Sequence, residues 1–227
     1  PGVRFIVFMQ GCPMRCQYCH NPDSWKMRTG EELTADELLD KALRYRAYWG
    51  DKGGITVSGG EALMQMEFVT ELFEKAHALG VTTCLDTSAQ PFTREEPWFG
   101  DFGKLMAVTD TVLLDIKHID DEAHRRLTRF GNANILDCAR YLSDIGKPVW
   151  IRHVLVPGIT DDEASLVRLH DFLCSLSNIE RIDVLPYHTL GTFKYEKLGI
   201  AYPLRDTPTP TPESVARARN ILEGTIG

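Results

Sequence analysis

The stretch VRFIVFMQGCPMRCQYCHNP, residues 3–22, joins an apolar run to a loop with three cysteines. The run VRFIVF (3–8) is rich in β-branched and aromatic residues, which predicts a buried β-strand. Cys12, Cys16 and Cys19 follow directly. The sequence therefore predicts a strand that delivers three thiols to its carboxyl end, and the rest of the chain repeats the arrangement of strand and polar loop.

Further strand-like runs alternate with amphipathic stretches along the chain. The runs are GITVS (54–58), TTCLD (82–86), TVLLDIK (111–117), PVWIRHVLV (148–156) and RIDVLPY (181–187). Apolar and polar residues alternate little within these runs, as expected for parallel strands covered on both faces. Helix starts are predicted at Thr34, Gln65, Thr160 and Thr211. Six successive strand–helix units predict one parallel α/β domain over residues 1–227.

Polar residues gather where these strands end. The polar residues are Ser58, Glu61, Asp86, Thr87, Asp115, Lys117, Arg152, Tyr187 and His188, and Gly59, Gly60 and Val154 lie among them. In a barrel, every loop after a strand can contribute to one site, whereas an open doubly wound sheet uses a single crevice. The spread over all strand ends favours a partial barrel.

Composition limits the possible functions. The 227 residues carry a net charge of -7 and no lysine or arginine run, which disfavours a nucleic-acid surface. No window is apolar enough to cross a bilayer and no secretory leader is visible, so a cytoplasmic monomer is expected. The chain begins at Pro1, so we expect a segment to be missing before it.

The segment QPFTREEPWFGDFG (90–103) fits neither the helical nor the strand period of apolar residues, and it predicts a surface loop with a short turn.

The cysteine loop admits four interpretations. Cys16 to His20 matches the c-type haem attachment pattern, and Cys16 with Cys19 matches a thioredoxin-like redox pair; both leave Cys12 unused. A structural zinc site needs four protein ligands: His20 would be the fourth, although it directly follows Cys19 and closes a tetrahedron poorly, and a distant Cys84 could replace it. The fourth interpretation is an iron–sulfur cluster with three thiolates and one iron open to a small molecule. The remaining cysteines, Cys84, Cys138 and Cys174, are otherwise expected in the core.

Several motifs together resemble those of the radical S-adenosylmethionine (SAM) enzymes, and nearly the whole chain resembles the pyruvate formate-lyase activating enzyme family. The motifs are CxxxCxxC with Tyr18 before the last cysteine, SGGE (58–61), HNPDSW, LDT, LLDIK, WIRHVLVPG and LPYH. The resemblance implies a partial (β/α)6 barrel, a [4Fe-4S] cluster on Cys12, Cys16 and Cys19, and reductive cleavage of SAM. The resulting radical would remove a hydrogen from a glycine of a partner enzyme.

The resemblance also implies roles for individual residues. Lys117 would pair with the SAM carboxylate and Asp86 with its ammonium, while Asp115 and His188 would meet the ribose. Further contacts are implied for Tyr18 at the adenine, the backbone of His20, Val154 and Leu185, and the motif residues Ser58, Gly59 and Gly60. A monovalent-cation site is implied at Asp86, Thr87, Leu113 and Asp115, with Arg152 close by. Residues 88–103 depart from the family pattern.

The partner follows from cysteines that the chain lacks. No cysteine lies between His20 and Gly53, whereas many activases of other glycyl radical enzymes carry extra clusters in that region. The resemblance therefore implies pyruvate formate-lyase as the substrate protein, with flavodoxin or ferredoxin as electron donor. Activation of another glycyl radical enzyme, or small-molecule radical SAM chemistry, are the alternatives.

Overall fold

The computed structural model describes residues 2–224, so Pro1 and 225–227 of the predicted domain lie outside the described residues. The strands are β1 (Arg4–Met9), β2 (Gly54–Gly59), β3 (Thr82–Thr87), β4 (Thr111–Asp115), β5 (Val149–Leu155) and β6 (Ile179–Pro186). The α-helices are α1 (Ala35–Leu43), α2 (Met66–Ala78), α3 (Trp98–Ala107), α4 (Asp121–Thr128), α5 (Ala133–Asp144), α6 (Glu163–Cys174), α7 (Thr192–Leu198) and α8 (Pro212–Glu223). Within residues 2–224, no helix has the length and apolar character needed to span a membrane.

The sheet is a partial barrel, as predicted. Its strands are all parallel and follow one another in chain order from β1 to β6. A doubly wound sheet would reverse its strand order at a switch point, and this sheet does not. Because β1 and β6 are the two edges of the described sheet, the barrel is open between them.

The two faces of the sheet differ, and this corrects the expectation that both faces are covered. Side chains facing the helices are fully buried and mostly apolar, as at Leu85 and Ile151. Residues on the inner face are half-buried, so burial alternates along β4 and β5. The inner face is partly open and carries polar side chains at its carboxyl edge, such as Asp115 and Arg152.

Two of the four predicted helix starts are confirmed as capping residues. Thr34 caps α1 in a capping box with Glu37, and Thr211 caps α8 by accepting from the Ser214 N–H, as predicted. Gln65 precedes α2 but makes no side-chain cap. The prediction for Thr160 was wrong, since Asp162 caps α6.

The segment 90–103 was also predicted wrongly in part. Its second half forms the start of α3, and Phe92 before it is buried. The Phe92 ring packs within 6.2 Å of the Trp98, Phe99 and Phe102 rings. Tertiary packing of these aromatic residues outweighs the weak helix propensity of WFGDFG.

Two of the three remaining cysteines occupy the predicted environment. Cys84 and Cys138 are fully buried, as expected. Cys174 is exposed at the end of α6, so its placement in the core was wrong. Its Sγ lies 3.3 Å from the His170 ring on the preceding helical turn.

Candidate active site at the strand ends

A cavity of about 400 Å³ opens at the carboxyl ends of the strands. Among the predicted site residues, only Leu113 does not line it. The predicted residues that do are Cys12, Cys16, Tyr18, Cys19, His20, Ser58, Gly59, Gly60, Asp86, Thr87, Asp115, Lys117, Arg152, Val154, Leu185 and His188. A larger groove of about 910 Å³ between α2 and α3 contains none of them.

The cysteine loop is fixed by contacts that the sequence analysis missed. The Arg15 guanidinium donates to the carbonyl oxygens of Cys12 and Met14, both at 2.7 Å, and lies 4.8 Å from the Trp25 ring centre. The Tyr195 hydroxyl, on α7, donates to the Cys19 carbonyl at 3.1 Å. These bonds hold the loop backbone at Cys12 and Cys19, two of the three positions that carry thiols.

The arrangement of the three thiols distinguishes among the metal sites. All three are free, and they lie around one cavity. Within residues 2–224, no three His, Cys, Asp or Glu side chains come together closely enough to bind a single metal ion. A structural zinc ion needs such a set, whereas a four-iron cluster is larger and takes thiolates on separate irons. The donor set therefore fits a cluster.

A thioredoxin-like pair fits less well. Cys16 and Cys19 lie at the two ends of a turn, in which the Cys19 N–H donates to the Cys16 carbonyl at 3.0 Å. Redox pairs of that kind open a helix whose N-terminus lowers the thiol pKa. Here the next element is a short 3₁₀ turn at Pro22–Ser24. Burial instead raises the pKa of Cys12 to about 11 and that of Cys16 to about 12.

The raised thiol pKa values have a consequence for metal binding. At neutral pH both groups are protonated when no metal is present, so iron must displace protons. Lys117 is the cation that favours the thiolate form of all three cysteines.

Two ion pairs cross the floor of the cavity. Lys117 Nζ lies 3.0 Å from Asp115 Oδ2, and Arg152 Nη1 lies 2.7 Å from Asp86 Oδ1. Arg152 also approaches Asp115, at 3.6 Å. Burial disfavours charged Lys117, yet Asp115 holds its pKa well above the usual value. Burial raises the pKa of Asp86.

A zwitterionic ligand can replace one partner in each of these two ion pairs. A ligand carboxylate can take Lys117, and a ligand ammonium can take Asp86, without leaving a buried charge unpaired. Ser58 already orients Asp86 by donating from its hydroxyl to Oδ2 at 2.6 Å. The arrangement therefore offers a cation and an anion that a ligand with both charges can pair with.

One polar atom at the cavity lacks a hydrogen bond. The Tyr18 hydroxyl is buried, and among the described residues no hydrogen bond satisfies it. Its ring lies 5.7 Å from Lys117 Nζ. Buried polar groups are almost always bonded, and Lys117 is the neighbouring side chain that interacts with this hydroxyl.

The glycines of SGGE are explained by the chain itself. Gly59 has φ +113°, and a Cβ there would meet the backbone of Met9; a Cβ on Gly60 would meet the Gly11 carbonyl. Only glycine lets β2 approach the start of the cysteine loop so closely. A close approach to a ligand stays a prediction.

Glu61 is a further residue whose role the sequence analysis missed. Its buried carboxylate accepts from the hydroxyls of Thr87 and Ser88, at 2.5 and 2.6 Å, and from the Leu63 N–H at 3.1 Å. It ties the end of β2 to the end of β3. The Thr87 hydroxyl therefore faces Glu61, and the cation site at Asp86, Thr87, Leu113 and Asp115 remains a prediction.

Two histidines close the side of the cavity. The rings of His20 and His188 stack with centroids 4.0 Å apart, and His20 Nε2 lies 3.0 Å from the His188 carbonyl. The contact joins the cysteine loop to the end of β6. Burial lowers the pKa of His20, which favours its neutral form at neutral pH.

Comparison with known proteins gives consistent matches. The family model described as the radical SAM superfamily matches residues 6–170. A pyruvate formate-lyase-activating enzyme of Streptococcus mutans is 54% identical over 224 residues, covering 98% of this chain and 85% of that protein. One from Listeria monocytogenes is 50% identical, covering 98% and 90%.

A solved structure is similar as well. A domain of pyruvate-formate lyase-activating enzyme from Bacteroides vulgatus superposes with a TM-score of 0.62 at 25% identity. The match covers 75% of this chain and 93% of that domain.

Proposed function

The chain belongs to the radical SAM superfamily, and from this premise we propose that it activates pyruvate formate-lyase by forming a radical on one of its glycines. Cys12, Cys16 and Cys19 would bind the [4Fe-4S] cluster. When bound, the cluster supplies one electron that splits SAM into methionine and a 5′-deoxyadenosyl radical, which takes the glycine hydrogen.

One observation carries the proposal: three free thiols and two separable ion pairs line the same cavity. The thiols suit a cluster with an open iron, and the pairs suit the two charges of a methionyl group. Neither a zinc site nor an electron-transfer module needs both.

The chain's own residues would bind and orient SAM. Lys117 would take its carboxylate and Asp86 its ammonium, after releasing Asp115 and Arg152. Asp115, then free, and His188 would hold the ribose. The remaining contacts would come from Tyr18 at the adenine, the backbone of His20, Val154 and Leu185, and the glycine turn after Ser58. A cation at Asp86, Thr87, Leu113 and Asp115 would balance the carboxylates.

The names of the relatives support pyruvate formate-lyase as the partner. Flavodoxin or ferredoxin would supply the electron. We also propose that residues 1–227 form one radical SAM domain and that the protein acts as a monomer. We place it in the cytoplasm, because six free thiols suit a reducing compartment.

The test is anaerobic. Reduced protein, SAM and pyruvate formate-lyase are mixed, and the glycyl doublet is followed by electron paramagnetic resonance. We expect a doublet with wild type and with the control Cys174→Ala, and none with Cys12→Ala.

Two results would change the assignment. A doublet on a different glycyl radical enzyme, with none on pyruvate formate-lyase, would overturn the partner. Formation of 5′-deoxyadenosine with no glycyl radical on any such enzyme would favour a small-molecule substrate.

A further inference from the structure

An arginine-rich surface lies at the end of α4. Arg125, Arg126 and Arg129 are all exposed, and no acidic residue occurs from Ala123 to Leu136. In a chain of net charge -7 this is a local reversal of sign. We refer to these three residues as the arginine surface.

Most of this positive charge is not neutralised. Arg125 pairs with Asp121 at 2.7 Å, with its side chain 55% exposed. Within residues 2–224, neither Arg126 nor Arg129 lies within salt-bridge distance of a carboxylate. Glu122 is the other exposed acid on α4. The carbonyl end of the helix favours these cations, so the fold does not need a partner to stabilise them.

The arginine surface is bonded directly to the cysteine loop. The Arg15 N–H donates to the Thr128 carbonyl and the Gln17 N–H to the Leu127 carbonyl, both at 3.0 Å. The Gln17 side chain donates to the Arg126 carbonyl at 2.9 Å. The two residues that flank Cys16 are thus each one hydrogen bond away from the last turn of α4.

The same contact is apolar beneath the hydrogen bonds. Leu127, from α4, is 1% exposed and belongs to the hydrophobic cluster around Cys16. Phe130 packs on the same cluster. This part of the surface packs directly on the loop, which makes it a short route for an electron.

The arginine surface also lies outside the cavity. No residue of α4 lines the cavity that contains the three thiols and the ion pairs. A protein bound to α4 would therefore leave the cavity open to SAM and to a glycine loop.

We propose that the arginine surface docks an acidic one-electron carrier protein of low potential, which reduces the cluster through the Leu127–Gln17 and Thr128–Arg15 hydrogen bonds. The inference rests on the proposed function. In the step, the carrier is oxidised by one electron and the cluster is reduced by one, with no bond made or broken. Complementary charge steers such encounters and speeds association. Redox complexes of this kind bury little surface and are transient.

The test compares charge reversal at two places. The variant Arg126→Glu/Arg129→Glu changes the arginine surface, and Arg217→Glu/Arg219→Glu makes the same change in net charge on exposed positions of α8. Cluster reduction is followed anaerobically by stopped flow, with a flavodoxin hydroquinone as the protein donor and photoreduced deazariboflavin as a small neutral donor.

We expect the first variant to be reduced by flavodoxin at least about tenfold more slowly than wild type at low salt. The wild-type rate should fall as salt shortens the range of electrostatic forces, and the variant's rate should change little. The α8 variant should behave as wild type, and all three proteins should react equally with deazariboflavin. Because glutamate opposes the helix dipole, Arg126→Gln/Arg129→Gln is measured too, with a smaller loss expected.

Three results would overturn the proposal. One is an unchanged flavodoxin rate in the first variant, and another is an equal loss in the α8 variant, which would show an effect of net charge alone. The third is normal reduction with loss of the glycyl doublet, which would assign the surface to the substrate protein. A wild type that deazariboflavin cannot reduce would overturn the proposed function itself, and this proposal with it.

Discussion

The two faces of the same strands differ in burial and in chemistry. Leu85 and Asp86 are neighbours in β3, as are Leu114 and Asp115 in β4. The leucines are fully buried against the helices, and the aspartates face the cavity. The difference teaches that the two-residue period of a strand separates stability from chemistry.

The energetic terms on the two faces are also different. Each buried aliphatic side chain on the outer face contributes about 1.5 to 3 kcal/mol to the free energy of folding. On the inner face, desolvation offsets most of what the ion pairs gain, so they add little to stability. Changes on one face should therefore alter one property and spare the other.

The largest expected effect is on cluster binding. Cys16→Ala should abolish incorporation of iron and sulfide, because a cluster with three protein ligands would keep only two. Cys138→Ala removes a buried thiol from the outer layer and should keep the cluster. The measurement is the iron and sulfide content of each variant after anaerobic reconstitution; a full cluster in Cys16→Ala would break the comparison.

The next effect is on SAM affinity. Lys117→Met should weaken binding by about 3 to 5 kcal/mol, because a ligand carboxylate would be buried without its cation. Lys104→Met, on the exposed side of α3, is the control. Calorimetric titration of the cluster-loaded proteins checks this, and equal dissociation constants for wild type and Lys117→Met would reject the assignment.

The outer face should show the opposite behaviour. Leu85→Ala should lower the free energy of unfolding by about 2 to 5 kcal/mol, through lost burial and a cavity. SAM affinity below the melting transition should not change, although Asp86 is the next residue. Leu79→Ala, at a residue 44% exposed, should cost far less. Denaturant titration tests stability, and loss of SAM binding in folded Leu85→Ala would contradict the separation.

A smaller effect should appear with pH. Burial lowers the pKa of His124, on α4, to about 4, below the value of about 6.5 in an unfolded chain. Between these values the unfolded chain binds a proton that the folded chain does not. The contribution of His124 to the free energy of unfolding should therefore be fully present above about pH 6.5. It should fall by up to about 3 kcal/mol as the pH drops towards 4.

His124→Gln sharpens this test. Its stability at pH 7 should be lower, because the His124 Nδ1 contact with the Phe130 carbonyl is lost. Its decline between pH 6.5 and 4 should be shallower than that of wild type. An equal slope in thermal melts over this range would show that other groups control the acid response.

The sequence predicted what depends on local pattern. Runs of β-branched residues located the six strands, and the polar residue after each run located the cavity wall. Thr34 and Thr211 were recognisable as caps because their partners lie within three residues.

What the sequence did not show depends on distant contacts. Tyr195 and Cys19 are 176 residues apart, and nothing near either predicts their hydrogen bond. The Arg15 side chain donates to three carbonyl oxygens of the loop, and no local pattern in the sequence indicates these bonds. The start of α3 was missed because its stability comes from packing on Phe92 and Tyr141.

The metal content of the protein tests the central claim most directly, because every assigned role depends on what the cysteine loop binds. Wild-type protein prepared without oxygen should contain about four irons and four sulfides per chain, and should form 5′-deoxyadenosine when reduced in the presence of SAM. One zinc per chain, with no iron and no 5′-deoxyadenosine, would contradict the account.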